Sequence, residues 1–566
     1  MPSTRTALER ARFATSSRLV ASLINEGLVQ VNADSPYMVV VNRIDDSGIE
    51  YKLFLSLISP VPVGNLQSLD PADIVPFHIY DENGKEFLCP VAIADRFWKG
   101  CTIDLKQQLI SSVRNQEWIY NHLPTKTPSL LSSAIEWEQY IIEGHPTHPM
   151  HRTRIPFDGF ESILLAPSIK FISIPRSNMV INGNWESIMK DYLPSTMSPD
   201  TIVLPVHELQ VAKVLSLMPS ATLYSNFERK TLAQASLRSV LPMPALDLPG
   251  YHLKMSLAIL TTGAWRTISY FSVYNGPRIT PLAKSIAPDC LVIIGEIASI
   301  GSNSLDETNS KHIACILRED PEVLMPDESI IVVQCLIEKT PDGNMSLVRA
   351  IFHLDTEKKC VDFLRKYAEL ACAAFLPPML KHGFCFEAHG QNTLARFDRH
   401  TGRLIGFAIR DFGGVRIHRE QFESTTPFKL DVLPDSCIVT DDITEVYTKV
   451  FHCFIQGQMN RLVRALDLHY SHKGWTIVRQ AVEKHISISS PAGRLWFKET
   501  VPYKAFLKMK LEHKYRDYIY SEEHIEWLLS LCDNRSIEIR PNIDPFYVAI
   551  HSIDLLQITN LDSYHS

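Results

Sequence analysis

The 566-residue sequence has no apolar run of the roughly 18–20 residues that a membrane span requires. Stretches such as Leu291–Ile294 and Ile330–Val333 are short, β-branched and bounded by polar residues, so they read as buried strands. None of the 11 cysteines stands in a C-x-x-C pair, which removes a zinc ribbon and a dithiol redox motif. Free thiols in a reducing compartment, the cytoplasm, fit that usage. Glycine and proline number 23 and 35, about a tenth of the chain, which rules out a collagenous or low-complexity protein. The 56 basic and 63 acidic residues are well mixed, with no basic arm or stripe, so a nucleic-acid partner is not expected. Also missing are G-x-x-x-x-G-K-[ST], G-x-G-x-x-G and G-x-S-x-G, so a P-loop, a Rossmann site and a hydrolase elbow have no support.

What is present is an ordinary core composition, 45% hydrophobic, over a length that suggests about 3–4 lobes. Met1–Glu26 carries Arg5, Arg10, Arg12 and Arg18 and faintly resembles a mitochondrial presequence, but Glu9 and Glu26 favour an ordinary first helix. Short strands are expected at Tyr37–Val41 and Tyr51–Leu57, and helices at Ile103–Tyr120 and Ser132–Glu143. Strands follow at Ile169–Ile174, Ile202–Val206 and Ile330–Glu338. A helix over Glu357–Phe375 should be stopped by Pro377-Pro378. Further helices are expected at Val446–Leu466 and Glu522–Leu531. The fold class is therefore α+β, in three lobes: 1–143, 144–345 and 346–566.

The most informative stretch is Glu387-Ala388-His389-Gly390-Gln391-Asn392, a strand to Asp398, a Gly402 turn, and a strand returning to Asp411. A hairpin brings its open ends together, so Asp411 should lie beside Glu387, His389 and Asn392. Two carboxylates and an amide oxygen suit magnesium, which shares its shell with phosphate oxygens. Protein kinases use an Asn and the Asp of D-F-G across a similar hairpin, and this chain reads Asp411-Phe412-Gly413. A second segment, His145-Pro146-Thr147-His148-Pro149 with Arg152 and Arg154, is expected as a stiff extended loop offering neutral imidazoles and guanidinium forks to anionic oxygens. A third runs from Lys254-Met255-Ser256-Leu257 through Thr261-Thr262-Gly263-Ala264-Trp265-Arg266-Thr267 to Asn275-Gly276-Pro277-Arg278. Its Thr/Gly turn and arginines can bind phosphates.

With Lys311–Glu319, these segments occur in the order H-P-x-H-P, K-x-S-L, R-T, N-G-P, K-H-x-A-C-I-L-R-E and E-x-H-x-Q-N…R-D. In that order the chain resembles the NRPS-independent siderophore synthetases, the aerobactin-synthetase-like enzymes. The resemblance implies a hand of thumb, fingers and distantly kinase-like palm. It also implies ATP- and Mg²⁺-dependent adenylation of a polycarboxylate, usually citrate, followed by attack of an amine or alcohol. Members are often homodimers. Matched motif by motif, His145, His148, Arg152 and Arg154 would face triphosphate and carboxylate. Arg266, Thr267 and Arg278 would hold the α-phosphate region, with Thr262 supplying a hydroxyl there, and Gln391 would lie near the magnesium. Glu387, Asn392 and Asp411 would place magnesium, and His389 would contact the acid; His389, Arg266 and Arg154 are the expected catalytic groups. Three positions depart from the family pattern: Arg152 replaces a lysine, Pro156 a glycine and Ala264 a serine. A kinase-like small-molecule phosphotransferase and a catalytically silent relative are the alternative expectations.

Overall fold

The computed structural model describes residues 5–61, 68–195, 198–304, 306–498, 500–513 and 520–524. The N-terminal stretch forms the first helix, Ala7–Asn25, started by a capping box between Thr6 and Glu9. Its Leu19, Val20, Leu23 and Ile24 pack on a four-stranded antiparallel sheet of Gln30–Ser35, Met38–Ile44, Glu50–Leu57 and Ile74–Asp81. Helices Pro90–Phe97 and Ile103–Asn121 complete this core, which also takes in Leu507 from the far end of the described chain.

The middle of the chain builds an eight-stranded antiparallel sheet. Its order is Met179–Asn182, Glu296–Ser302, Ala314–Glu319, Tyr251–Met255, Ser239–Met243, Thr222–Ala233, Ser168–Pro175 and Thr201–His207. One face buries Leu253, Met255, Ala298, Ile300, Cys315 and Leu317. Strand alternation turns Lys254 and Arg318 to the other face, and the bulge between Glu296 and Ala298 brings Glu296 there opposite Arg318, where the helix Tyr270–Ile286 lies. The last third is built on a smaller sheet, Leu291–Ile293, Leu404–Ile409, Thr393–Asp398 and Glu328–Val332, covered by the long helix Glu357–His382.

Several sequence expectations are corrected. The helix from Glu357 runs through Pro377 and Pro378 to His382 and ends on left-handed Gly383. Burial of Leu376 and Met379 in the large core, with Pro378 itself buried, offsets the roughly 3 kcal/mol that an interior proline costs. The strand from Glu328 stops at Val332 and turns into the short helix Val333–Leu336. Apolar runs of that length cannot separate buried strand from buried helix. Here the turn is set by Gln334, whose backbone N–H donates to Gly390 O and whose side chain donates to Gly144 O. The helix begun at Ser133 ends at Gln139, because the carbonyls of Ile141 and Ile142 accept from Arg152 instead of continuing it. Val446–Leu466 is helical throughout but holds a π-helical segment at Phe451–Met459. Of the expected helix Glu522–Leu531, residues 522–524 belong to the strand Tyr520–His524 and the remainder lies outside the described residues. No helix among the described residues is long and apolar enough to cross a membrane, and the described cysteines are all free.

Candidate active site

A knot of buried charges lies where the two sheets meet. Lys254 Nζ donates to Glu296 Oε1 at 2.8 Å and to Asp411 Oδ1 at 2.9 Å. Arg318 Nη2 approaches the same two carboxylates at 3.3 and 3.5 Å. Burial alone would raise the Asp411 carboxyl; Lys254, Arg318 and Arg238 outweigh it and hold the group well below the usual carboxylate range. Asp411 is thus ionised at any working pH. Its backbone sits at φ 72°, a left-handed conformation that Asp tolerates better than most residues but that still costs energy. The ladder has already ended at Ile409, and the Asp411 carboxylate reaches Lys254 from beyond it.

Asp411 ends the hairpin Thr393–Asp398/Leu404–Ile409, in register with Thr393 opposite Ile409. At its open end Arg410 N donates to Asn392 O, and Arg410 Nη2 donates to Gln391 O. Arg410 is itself held by an ion pair with buried Glu138. Glu387 pairs with Lys449 Nζ at 3.1 Å, and Gly414 lies so close to that carboxylate that any Cβ there would overlap it. His389 is depressed by burial, against the opposing pull of Glu387 and Asp411, which leaves its imidazole neutral near pH 7.

The His145–Pro149 segment is a folded turn rather than the extended loop expected from its prolines. His145 Nδ1 accepts from the backbone N–H groups of Thr147 and His148, and His148 Nδ1 accepts from Met150 N. Accepting at Nδ1 places each ring's proton on Nε2. Burial holds both imidazoles well below their ordinary value, so they are neutral donors. Both rings pack against Phe506. Arg152 braces this turn from behind, with Nη2 donating to Ile141 O and Ile142 O at 2.6 and 2.7 Å. Arg154 donates through Nε to buried Glu161 at 2.9 Å.

The Thr/Gly turn is a tight hairpin, Leu260–Thr261 against Ala264–Trp265, with Thr262 and Gly263 both at positive φ. Arg266 follows it. Its guanidinium donates to the hydroxyls of Thr261 and Thr262, and burial lowers it to about 10, so it stays charged at neutral pH. Thr262 thereby keeps a hydroxyl at the cleft where Ala264 has none. The side chain of Lys510 lies directly over Gly263, where a Cβ would collide with Cε and Nζ. Gly263→Ala should therefore push the Lys510 ammonium aside and strain the left-handed backbone of the turn that carries Arg266. We expect kcat/KM to fall about tenfold or more, a loss of about 1.4 kcal/mol or more, with the melting temperature little changed. Steady-state kinetics beside a thermal melt checks it.

These elements enclose one cleft. A cavity of about 430 Å³ is lined by His145, His148, Arg152, Arg154, Thr262, Arg266, Glu387, His389 and Gln391. A second, of about 490 Å³, shares Arg266, Glu387, His389 and Gln391 and adds Thr267, Asn392 and Asp411. Arg278 is not brought to it. On the helix Tyr270–Ile286 it donates to Asn182 and pairs with Asp431, with its guanidinium 3.5 Å over the Tyr274 ring. N-G-P lies inside that helix, so Arg278 falls on a face turned from the cleft. Arg238, Lys254, Lys504 and Lys510 line the cleft and were not among the expected site residues. Lys254 opens the K-x-S-L motif, and its central-strand position is unusual for a charge. Lys504 and Lys510 carry no local signal, and neither does the π-helical wall with His452 and Gln456.

Residues 133–338 match the IucA / IucC family, and residues 361–518 match the ferric iron reductase FhuF-like transporter family. The NRPS-independent siderophore synthetase rfs of Rhizopus delemar is 36% identical over 446 residues, 73% of this chain and 69% of its own length. The chain belongs to the NRPS-independent siderophore synthetase family. Another family relative, the synthetase-like protein ankE of Aspergillus thermomutatus, is 27% identical over 91% of this chain and 93% of its own. Among solved structures, the petrobactin biosynthesis protein AsbB of Bacillus anthracis superposes with a TM-score of 0.75 at 17% identity, over 93% of this chain and 97% of AsbB. ATP-bound aerobactin synthetase IucA of Klebsiella pneumoniae gives 0.68 at 14% identity, over 91% of this chain and 99% of its own. The siderophore synthetase fold thus extends over nearly the whole length, with a mixed α+β architecture.

Proposed function

We propose that this synthetase activates one carboxylate of a polycarboxylic acid, citrate being the first to test, and passes the acyl group to an amine or alcohol. The acid's oxygen attacks the α-phosphorus of ATP, the bond to the β-phosphate breaks, and diphosphate leaves. The nucleophile then attacks the acyl carbon and AMP leaves. The observation that carries this reading is the convergence on one cleft of neutral imidazole donors, a buried guanidinium and the Asn392/Asp411 hairpin. Relatives named Staphyloferrin A synthase and D-ornithine--citrate ligase, both from Staphylococcus aureus, support it.

His145 and His148 would donate Nε2–H to the triphosphate, and Arg266 and Thr262 would stabilise charge growing at the α-phosphate. Arg154, His389 and Gln391 would orient the acid, Thr267 would serve the phosphate side, and Arg152 would hold the histidine turn in place. The donor set Glu387, Asn392 and Asp411 fits magnesium, which commonly takes one or two carboxylates and completes its shell with phosphate and water oxygens. Among the described residues no group of three His, Cys, Asp or Glu could hold a metal alone, so the nucleotide would share the ion. Magnesium would screen the phosphate oxygens. The thumb would then be 1–143, the fingers 144–345 and the palm 346–566. A cytoplasmic homodimer is the state this reading expects.

A phosphotransferase is the second reading, favoured by the Lys254–Glu296 pair beside Asp411, an arrangement that kinases use on phosphates. Product analysis separates the two. Adenylation gives diphosphate and AMP, and added hydroxylamine traps a hydroxamate; the alternative gives ADP. A pH dependence also follows. Burial lowers both Lys504 and Lys510 to about 8, so each loses its proton, and its attraction for an anion, as pH rises through 8. KM for the acid should climb about tenfold between pH 7.5 and 9, where lysines of ordinary pKa near 10.4 would leave it nearly flat.

A further inference from the structure

The short helix Phe506–Leu511 begins at Ala505, which has no side-chain acceptor to cap it. Its first N–H groups are satisfied from the other end of the chain. Glu26, at the C-terminal end of the helix Ala7–Asn25, accepts from Leu507 N through Oε1 at 2.9 Å and from Lys508 N through Oε2 at 2.7 Å. Glu26 is only 1% exposed, and Leu507 is fully buried in the N-terminal core. A carboxylate so deeply placed is costly unless its oxygens are matched, and here each takes one backbone donor.

What this cap holds still is a wall of the cleft. Phe506 packs with ring centroids 5.5 Å from His145 and 4.6 Å from His148. Lys510 Nζ donates to Gln108 Oε1 at 2.9 Å and overlies Gly263, the turn that leads to Arg266. Lys504, one residue before the helix cap, lines the same cavity. Moving this helix by an ångström would shift a ring against both histidines and two ammonium groups at once.

We propose that Glu26 is a positioning residue for the cleft: by capping Phe506–Leu511 from the N-terminal lobe, it fixes Lys504, Phe506 and Lys510 as the wall facing His145, His148 and Arg266. That this wall faces an anionic acid rests on the adenylation reading; the capping and its mechanical reach do not.

The test is hydrogen exchange on the full chain, together with kinetics, for wild type, Glu26→Ala and Glu26→Gln. In Glu26→Ala the amides of Leu507 and Lys508 should exchange at least about tenfold faster, as should Gly263 and Ala264 across the cleft, while the helix Glu357–His382 keeps its protection. Glu26→Gln, which retains one acceptor of similar size, should fall between. KM for citrate should rise about tenfold in Glu26→Ala with kcat within about threefold, the pattern of weakened ground-state binding rather than lost chemistry. Unchanged exchange at Leu507, Lys508 and Gly263 would overturn the proposal. So would faster exchange confined to Leu507 and Lys508, or faster exchange with an unchanged KM. If the wild type releases no diphosphate with any polycarboxylate, the adenylation reading falls, and the exchange at Gly263 and Ala264 still decides whether Glu26 positions this wall.

Discussion

Asp411→Asn is expected to lower kcat/KM for diphosphate release by about 10³-fold, equivalent to about 4 kcal/mol of transition-state stabilisation. Asn suits this test because it tolerates the positive φ that Asp411 adopts. The substitution therefore removes charge without asking the backbone to move. Two losses combine. The oxygen proposed to share the nucleotide's metal would lose its charge, and Lys254, Arg318 and Arg238 would lose an anion that balances them. Glu296 still pairs with both Lys254 and Arg318, though it balances only one of the two cations, so the fold should survive with a stability loss of about 3 kcal/mol from the broken pairs. A chemical-denaturation curve beside the kinetics separates the two effects. Retention of more than a tenth of wild-type turnover would remove Asp411 from the site.

Arg266→Ala is expected to cost 10²–10³-fold in kcat, about 2.7–4 kcal/mol, the range found when one preorganised donor to developing charge is removed. The threonine hydroxyls fix the guanidinium at Nε and Nη2, so its remaining donors are aimed before substrate arrives. Arg266→Lys keeps the charge and loses the fork. It should recover part of the loss, by about tenfold over Ala, in single-turnover formation of AMP. Equal rates for Ala and Lys would mean that charge at this position does nothing.

Much of this cleft was legible in the sequence because its motifs sit at the ends of regular elements. The hairpin that joins Asn392 to Asp411 follows from two short apolar strands around Gly402, and strand pairing alone then fixes their proximity. The histidine turn differs in shape from the sequence expectation: prolines suggest extension, whereas the Nδ1 acceptors of His145 and His148 fold the chain back on itself. Arg278 was assigned by its neighbourhood to N-G-P, and helical geometry turned it towards Asp431. Lys504, Phe506 and Lys510 had no local mark at all. They reach the cleft because Leu507 is drawn into the N-terminal core and Glu26 caps their helix, long-range packing that no window of sequence displays. Pro377 and Pro378 teach the same lesson in reverse, since tertiary burial overrode a strong local stop.

The central claim is that the acid's own oxygen bonds to the α-phosphorus in this cleft. Citrate carrying ¹⁸O in its carboxylates, turned over with ATP and an accepted amine, tests it directly by mass spectrometry of the nucleotide product. One ¹⁸O per molecule of AMP is the predicted result. Unlabelled AMP, or ADP with the label in inorganic phosphate, would contradict it.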